Sequence, residues 1–339
     1  MKPGRGVAIA VVLAVAVVVA GALWWAAPFR QAAPPVAPEK LAIAVSGTYI
    51  GSGLVLVAAA RGYFAQEGLE VTLQQHTSGR DALDAVLGNH ADIATAGDTP
   101  LMFAVMKGAP VSVVATIFTA GRAHGIVARR DRGIATPADL AGKRLGATFG
   151  TDAHFVADVM LAAHGKSLSS VQLENIKPED APAALSSGRV DAVATWEPWI
   201  GMARKAAGDN AIAFLTDPGF LIGFNLAGRK DWVGANQEKL RRLLRALVRA
   251  EQLVAEKPQE ARTLILEATG TDRSIFDAGG PSYRFQVRLD QSLLIMLEDQ
   301  GRWAINEGLT ERRQVPNLLD ALDLRPLEAV RPAAISIVR

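Results

Sequence analysis

Residues 81–100 read DALDAVLGNHADIATAGDTP, and residues 180–199 read DAPAALSSGRVDAVATWEPW. Each stretch has an Ala-rich run ending in Gly (Gly88, Gly188), then an Asp before an apolar run (Asp92, Asp191). Six residues after that Asp comes a second acid, Asp98 in one stretch and Glu197 in the other. Pro100 or Pro198 follows at once. Ala-rich runs closed by Gly read as helices, the short apolar runs as strands, and the Pro as the opening turn of another helix. The chain therefore carries the same helix–strand–helix unit twice, and both copies present an acid where the strand ends.

The flanking segments fit that unit. KLAIAVSG (40–47), LEVTLQQH (69–76) and VSVVATIF (111–118) read as strands, and GLVLVAAARGYFAQEG (53–68) as a helix closing at Gly68. The rhythm restarts near residue 125 with HGIVARR, TPADLAG, KRLGATF and TDAHFVADVMLAAHG, and AIAFLTD and LIGFNLAGR supply two further strands. Alternation of this kind implies an α/β fold with largely parallel sheets. From Asn236 the chain turns helical: QEKLRRLLRALVRAEQLVAEK has apolar residues three and four apart, and its charged side reads as a solvated face. More helices follow it, and RPAAISIVR reads as a loose tail.

With 339 residues the chain has room for about two domains of roughly 150 residues. Half of it is hydrophobic, 21% is charged and the formal net charge is +2, so a packed globular body is expected and nucleic-acid binding is not. The absence of cysteine excludes disulfides, thiolate catalysis, cysteine-ligated zinc and an acylated N-terminal Cys. Lys2 and Arg5 precede an uncharged apolar run from Val7 to Ala27, long enough to span a bilayer, with Trp24 and Trp25 at its far end. Residues 1–27 read either as an uncleaved anchor or as a signal peptide cleaved near Ala20-Gly21-Ala22, and either exports the body. Residues 28–40 carry four prolines and read as a semi-rigid linker.

Three segments together carry a family resemblance: residues 60–115 (ARGYFAQEG…APVSVVA), 133–161 (GIATPADLAGKRLGATFGTDAHFVADVML) and 189–199 (RVDAVATWEPW). Their order and spacing resemble the periplasmic substrate-binding proteins of ABC importers, of the nitrate/sulfonate/taurine type related to binders of thiamine-pyrimidine precursors. The resemblance implies a two-lobed type II periplasmic-binding-protein fold with two crossovers and a helical C-terminal region. It puts the first lobe at 41–120 and 225–330, the second at 121–224 and the tail at 331–339. It also implies an antiparallel strand at each crossover in place of an all-parallel sheet. The function it implies is extracytoplasmic capture of a small sulfonate, taurine, nitrate or pyrimidine-like ligand by hinge closure. The partners would be that ligand and ABC permease subunits of the inner membrane, with the binder a monomer, soluble or anchored by its N-terminal helix. A membrane-anchored sensing subunit on the same lobes is the alternative, and a pyrimidine-precursor enzyme a weaker one.

In open parallel sheets ligands bind beyond the carboxyl ends of strands, where helix N-termini offer free N–H groups. The resemblance puts a ligand contact at Tyr49, after the first strand, where its ring could cover a ligand, and the strand-end rule adds Ser78 and Gly79, where a helix begins. Asp98 and Thr99 follow in the first unit, and Thr151 and Asp152 begin a helix of the second. Asp152 argues against a bare anion there, unless it caps the helix and points away. Trp196 could stack on the ligand beside Glu197. His154, Phe224 and Asn225 are weaker candidates, and Trp199 reads as lobe packing. Each acid, Ser and Thr also has an ordinary reading as a helix cap. Asp98 and Glu197, one per lobe, either face each other across the cleft, which favours a ligand with an amine or ring N–H donor, or turn inward to cap their helices. No nucleophile elbow, P-loop or metal-ligand spacing is present, so no enzyme chemistry, cofactor or metal is expected.

Overall fold

The computed structural model describes residues 37–338, and the apolar run 7–27 lies outside them. No helix among the described residues is long and apolar enough to cross a membrane. The body, Glu39–Arg339, contains two sheets.

The first sheet holds β1 (Glu39–Ser46), β2 (Leu69–His76), β3 (Ile93–Gly97), β4 (Val111–Ala120), β10 (Ile222–Arg229) and β11 (Tyr283–Arg288), in the order β11-β4-β10-β3-β1-β2. The second holds β5 (His124–Arg129), β6 (Arg144–Ala147), β7 (Gln172–Asn175), β8 (Ala192–Trp196) and β9 (Ala211–Leu215), in the order β7-β6-β8-β5-β9. The main helices are α1 (Gly53–Ala60), α2 (Gly79–Leu87), α3 (Asp98–Met106), α4 (Asp152–Ala162), α5 (Ala181–Ser186), α6 (Trp199–Ala207), α7 (Gln237–Glu256), α8 (Pro258–Thr269) and α9 (Gln291–Asn306).

The chain passes from the first sheet to the second between β4 and β5, and returns between β9 and β10. In each sheet the strand that follows the passage runs antiparallel to its neighbours. β10 is antiparallel to β3 and β4, and β5 to β8 and β9. The two passages lie side by side: the Thr216 hydroxyl donates to the Gly121 and His124 carbonyls, and a Cβ on Gly121 would sit 2.1 Å from the Pro218 carbonyl oxygen.

β3 and β8 are buried along their whole length, as expected of central strands covered on both faces. The Asp that precedes each of them performs the same task. Asp92 Oδ2 accepts the Ala42 N–H of β1 at 2.8 Å, and Asp191 Oδ2 accepts the Arg144 N–H of β6 at 3.0 Å. The internal repeat is thus a staple between each central strand and its parallel neighbour. The segment read as one helix over 53–68 breaks at Gly62, whose φ of 65° is left-handed. α7 buries Leu240, Leu243, Leu244, Leu247 and Leu253. Its charged side does more than meet solvent, since Arg242 pairs with Glu39 at 3.2 Å and Arg245 with Glu67 at 2.8 Å.

Two features of the C-terminal region differ from the reading of its sequence. It is not wholly helical, because β11 returns to the edge of the first sheet with alternating burial. The tail is held rather than loose: Leu289 donates its N–H to Ala334 O at 2.9 Å, Ser336 returns one to Leu289 O at 3.0 Å, and the Val338 N–H reaches Gln291 at 3.0 Å.

Candidate functional site

The carboxyl ends of β1 and β3 in one lobe face the start of β5, the end of β8 and the start of α4 in the other. They enclose a cavity of about 20 Å³. That volume accommodates about one water molecule. The first lobe contributes Ser46, Tyr49, Gly79, Arg80, Gly97, Pro100 and Phe224, and the second His124, Thr151, Asp152 and Trp196. Five of the nine candidate residues, Tyr49, Gly79, Thr151, Asp152 and Trp196, are therefore brought together.

Tyr49 is buried with its ring edge-on to Phe224 at 4.9 Å and to Phe118 at 5.9 Å. Burial raises its hydroxyl pKa well above the ordinary value, so it is a neutral donor. Thr151 donates its hydroxyl to Thr148 O at 2.6 Å, which fixes the entry to α4. Gly79 lets α2 begin hard against β3: a Cβ there would lie 3.0 Å from Ala96 Cα and 3.1 Å from the Phe224 ring.

Asp152 does not cap its own helix and point away. Its Oδ1 crosses between the lobes and accepts the Thr99 N–H in the first turn of α3, at 2.9 Å. Gly97 makes room for it, because a Cβ on Gly97 would stand 1.8 Å from Asp152 Oδ2. Asp98 sits next to this contact. Its two oxygens accept the Gly223 N–H at 2.7 Å and the Asn225 Nδ2 at 2.8 Å, both from β10. Asn225 is itself held by the Thr116 hydroxyl at 2.6 Å. Burial pushes the Asp98 carboxyl above the ordinary carboxylate range, and the Asp152 charge pushes it further. Burial likewise raises Asp152. Two buried carboxyls at one contact retain a proton where isolated ones would not.

Of the two arrangements open to Asp98 and Glu197, the structure does not hold the one in which they face each other. Glu197 turns inward, its Oε2 accepting the Gly201 N–H of α6 at 3.0 Å, and burial pushes its pKa up to about 7. It lines a different cavity, with Arg204 and Ser274, while Asp98 lines a third, with Thr116 and Gly223. The equivalent offsets in the two repeats place equivalent helix starts, but the side chains take different partners. Asp98 takes two donors from β10, and Glu197 takes the Gly201 N–H of the helix that follows it.

Ser78 is a helix cap: its Oγ accepts the Asp81 N–H at 3.1 Å and donates to Asp81 Oδ2 at 2.8 Å. Thr99 contributes its backbone N–H to Asp152 and does not line the cavity. Trp199 packs in the core, as its sequence context suggested. Phe224 lines the cavity, whereas Asn225 is a support for Asp98.

Two ionisable lining residues, Arg80 and His124, were not singled out in the sequence. Arg80, in the first turn of α2, is the one Lys or Arg among the described lining residues. It spans the lobes by donating from Nη1 to Phe149 O at 2.7 Å. A cation directly after Ser78-Gly79 at a helix start is a composition suited to an anion, and that signal was available. His124, the first residue of β5, is 3% exposed with Nδ1 unpartnered. Burial pushes its pKa down to about 3, so the ring is neutral. Its position follows from the crossover, which periodicity does not locate to the residue. Among the described residues no group of three or more His, Cys, Asp or Glu could hold a metal ion.

Comparisons with known proteins agree with this architecture. Residues 51–261 match the family described as NMT1/THI5 like. The Escherichia coli taurine-binding periplasmic protein is 27% identical over 150 residues, 44% of this chain and 46% of that one. The structure of the alkanesulfonate-binding protein SsuA from Xanthomonas axonopodis pv. citri, bound to MOPS, superposes with a TM-score of 0.74 at 22% identity, covering 85% of this chain and 99% of that one. The desulfurization enzyme DSZB shares the fold at a TM-score of 0.64 and 17% identity, covering 87% and 99%. The fold is the two-lobed type II periplasmic-binding-protein fold, and the chain belongs to the NMT1/THI5-like family.

Proposed function

We propose that this protein is the extracytoplasmic solute-binding component of an ABC importer, and that it captures a small sulfonate, with taurine-like zwitterions included. The observation that carries the reading is that Arg80 and Asp152 line one interlobe cavity together with Tyr49 and Trp196. A guanidinium suits a sulfonate's oxygens, and a carboxyl opposite it suits an amine. The taurine-binding relative and the alkanesulfonate-binding structural neighbour support that ligand class.

A cavity of about 20 Å³ is too small for any such ligand, so the lobes part to admit it. The adjacent passages at Gly121 and Thr216–Pro218 are where the chain can absorb that rotation. Permease subunits are the partner that would receive the closed form. A thermal-shift panel of taurine, alkanesulfonates, nitrate and aminopyrimidines tests the reading. A rise in melting temperature with a sulfonate or taurine is the expected result. A rise with nitrate or aminopyrimidine alone moves the ligand class, and no rise with any of them overturns the solute-binding assignment.

A further inference from the structure

A second cavity, of about 410 Å³, opens beside the first and shares Arg80 and Pro100 with it. Leu83 and Leu87 of α2 and Phe103 of α3 form one wall, and Phe149 and His154 of the second lobe form the other. The rings of Phe149 and His154 stack with centroids 4.8 Å apart and planes 18° apart, and Trp303 of α9 meets the imidazole edge-on at 5.2 Å. This is an aromatic platform facing an aliphatic helix face, at a volume typical of small-molecule sites.

Its polar groups are unfinished. His154 is 3% exposed, yet neither ring nitrogen has a partner, and Arg80 Nε is likewise buried and unpartnered. Buried polar atoms in folded proteins are almost always paired, so exceptions call for a reason. Burial pushes the His154 pKa down to about 4, leaving a neutral ring with one N–H and one lone pair to offer. The formal charges on the lining are Arg80 and Lys107 against Asp84, and Arg80 also meets Asp81 at 3.5 Å, so Arg80 and Lys107 are the cations an anionic head would meet there.

We infer that this groove is the subsite for an aromatic body of the ligand, whose anionic head lies at Arg80, so that the preferred ligand is a bulky aryl sulfonate rather than taurine. The inference rests on the sulfonate reading above. Arg80 carries it, because the same guanidinium borders both the small cavity between the lobes and the groove that leads out of it. The aryl ring then lies between Leu87 and the Phe149 platform, and His154 completes its hydrogen bonding on a sulfonate oxygen or a ring substituent.

Calorimetric titration of the full-length chain with taurine, ethanesulfonate, benzenesulfonate and naphthalenesulfonate reads this directly. Naphthalenesulfonate should bind at least ~10-fold tighter than ethanesulfonate, since its second ring adds buried apolar area. Leu87→Gln places an uncharged polar group on the groove wall and should abolish that gain while leaving ethanesulfonate affinity within about twofold, because ethanesulfonate has no ring to reach it. Phe103→Ala, checked for an intact melting transition, should reduce the gain in the same way. If naphthalenesulfonate binds no tighter than ethanesulfonate, or both variants retain the gain, the groove inference is overturned and the sulfonate reading stands. If no sulfonate of any size binds, the sulfonate reading falls and this inference falls with it.

Discussion

Asp152 Oδ1 accepts the Thr99 N–H at 2.9 Å, so a carboxyl of the second lobe caps a helix of the first. Helix N-termini attract negative charge, and this one is already supplied with it from across the cleft. The N-terminus of α3 is therefore spoken for when the lobes are together. What remains for a ligand anion is the start of α2, where Arg80 stands. The contact is also a latch, because it exists only while the lobes touch.

That latch should depend on pH. Asp98 and Asp152 both have raised pKa values in the closed form, from burial and, for Asp98, also from its neighbour's charge. A raised acid binds its proton more tightly when closed, so its contribution is complete below the ordinary carboxylate pKa of about 4 and is lost as pH rises through the raised values. His124 and His154 act in the opposite direction, since burial holds both below the ordinary imidazole value and stability gained from them grows with pH. Glu197, raised to about 7, adds to the acid trend. The raw profile mixes all of these, so the informative quantity is a difference. The melting temperature of wild type minus that of Asp152→Asn should fall as pH rises from about 4 to about 7 and level off above that, since the raised values are about 6 for Asp152 and about 7 for Asp98. A flat difference would mean the pair holds no shared proton.

Asp98 is a structural acid. Its oxygens satisfy Gly223 N–H and the Asn225 amide, both fully inside the first lobe. Asp98→Ala strands those donors at a cost of about 2–4 kcal/mol, and urea melts should show it as a lowered midpoint at unchanged slope. Affinity for a sulfonate, measured well below the transition, should change by less than about threefold, because Asp98 does not line the cavity between the lobes.

The architecture was largely legible in the sequence. Period and punctuation locate β3, α3, β8 and α6, and the motif order carries the fold. The Gly-bounded repeat also pointed to the strand ends that border the cavity between the lobes. Side-chain direction was not legible, because it depends on what the crossover brings alongside. Nothing local to DTP says that β10 will lie next to it, and nothing in GTDAH says that Asp152 will reach another lobe's helix. β11 was legible but missed: YRFQVR alternates apolar and polar residues, the period-two signature of a half-buried strand, in a stretch otherwise read as helical.

The repeated Asp92 and Asp191 should behave as equivalent staples. Each accepts the N–H of a neighbouring parallel strand, and Asp191 also takes the Arg144 guanidinium at 2.7 Å. Because Arg144 is 38% exposed, its ion pair adds little to the backbone bond. Asp92→Ala and Asp191→Ala should therefore cost a similar amount, about 1–2 kcal/mol each, or roughly 2–6 °C of melting temperature. Calorimetry on both variants compares them directly, and a loss at Asp191 several times larger would show that the ion pair dominates.

Arg80 and Asp152 can be separated by the charge of the ligand. Arg80→Gln removes the cation that meets a sulfonate, whichever group sits at the other end. It should weaken taurine and ethanesulfonate alike, by about 10–100-fold, the loss expected for a charge-assisted hydrogen bond. Asp152→Asn keeps an acceptor for the Thr99 N–H but removes the negative charge. Taurine then loses a partner for its ammonium, whereas ethanesulfonate loses only a repulsive neighbour. The ratio of taurine to ethanesulfonate affinity should fall by about 10-fold in Asp152→Asn and stay within about twofold in Arg80→Gln. Titrations at one low ionic strength measure it, since salt would screen the partly exposed Arg80 more than the buried Asp152. An unchanged ratio in Asp152→Asn would assign Asp152 to the latch alone.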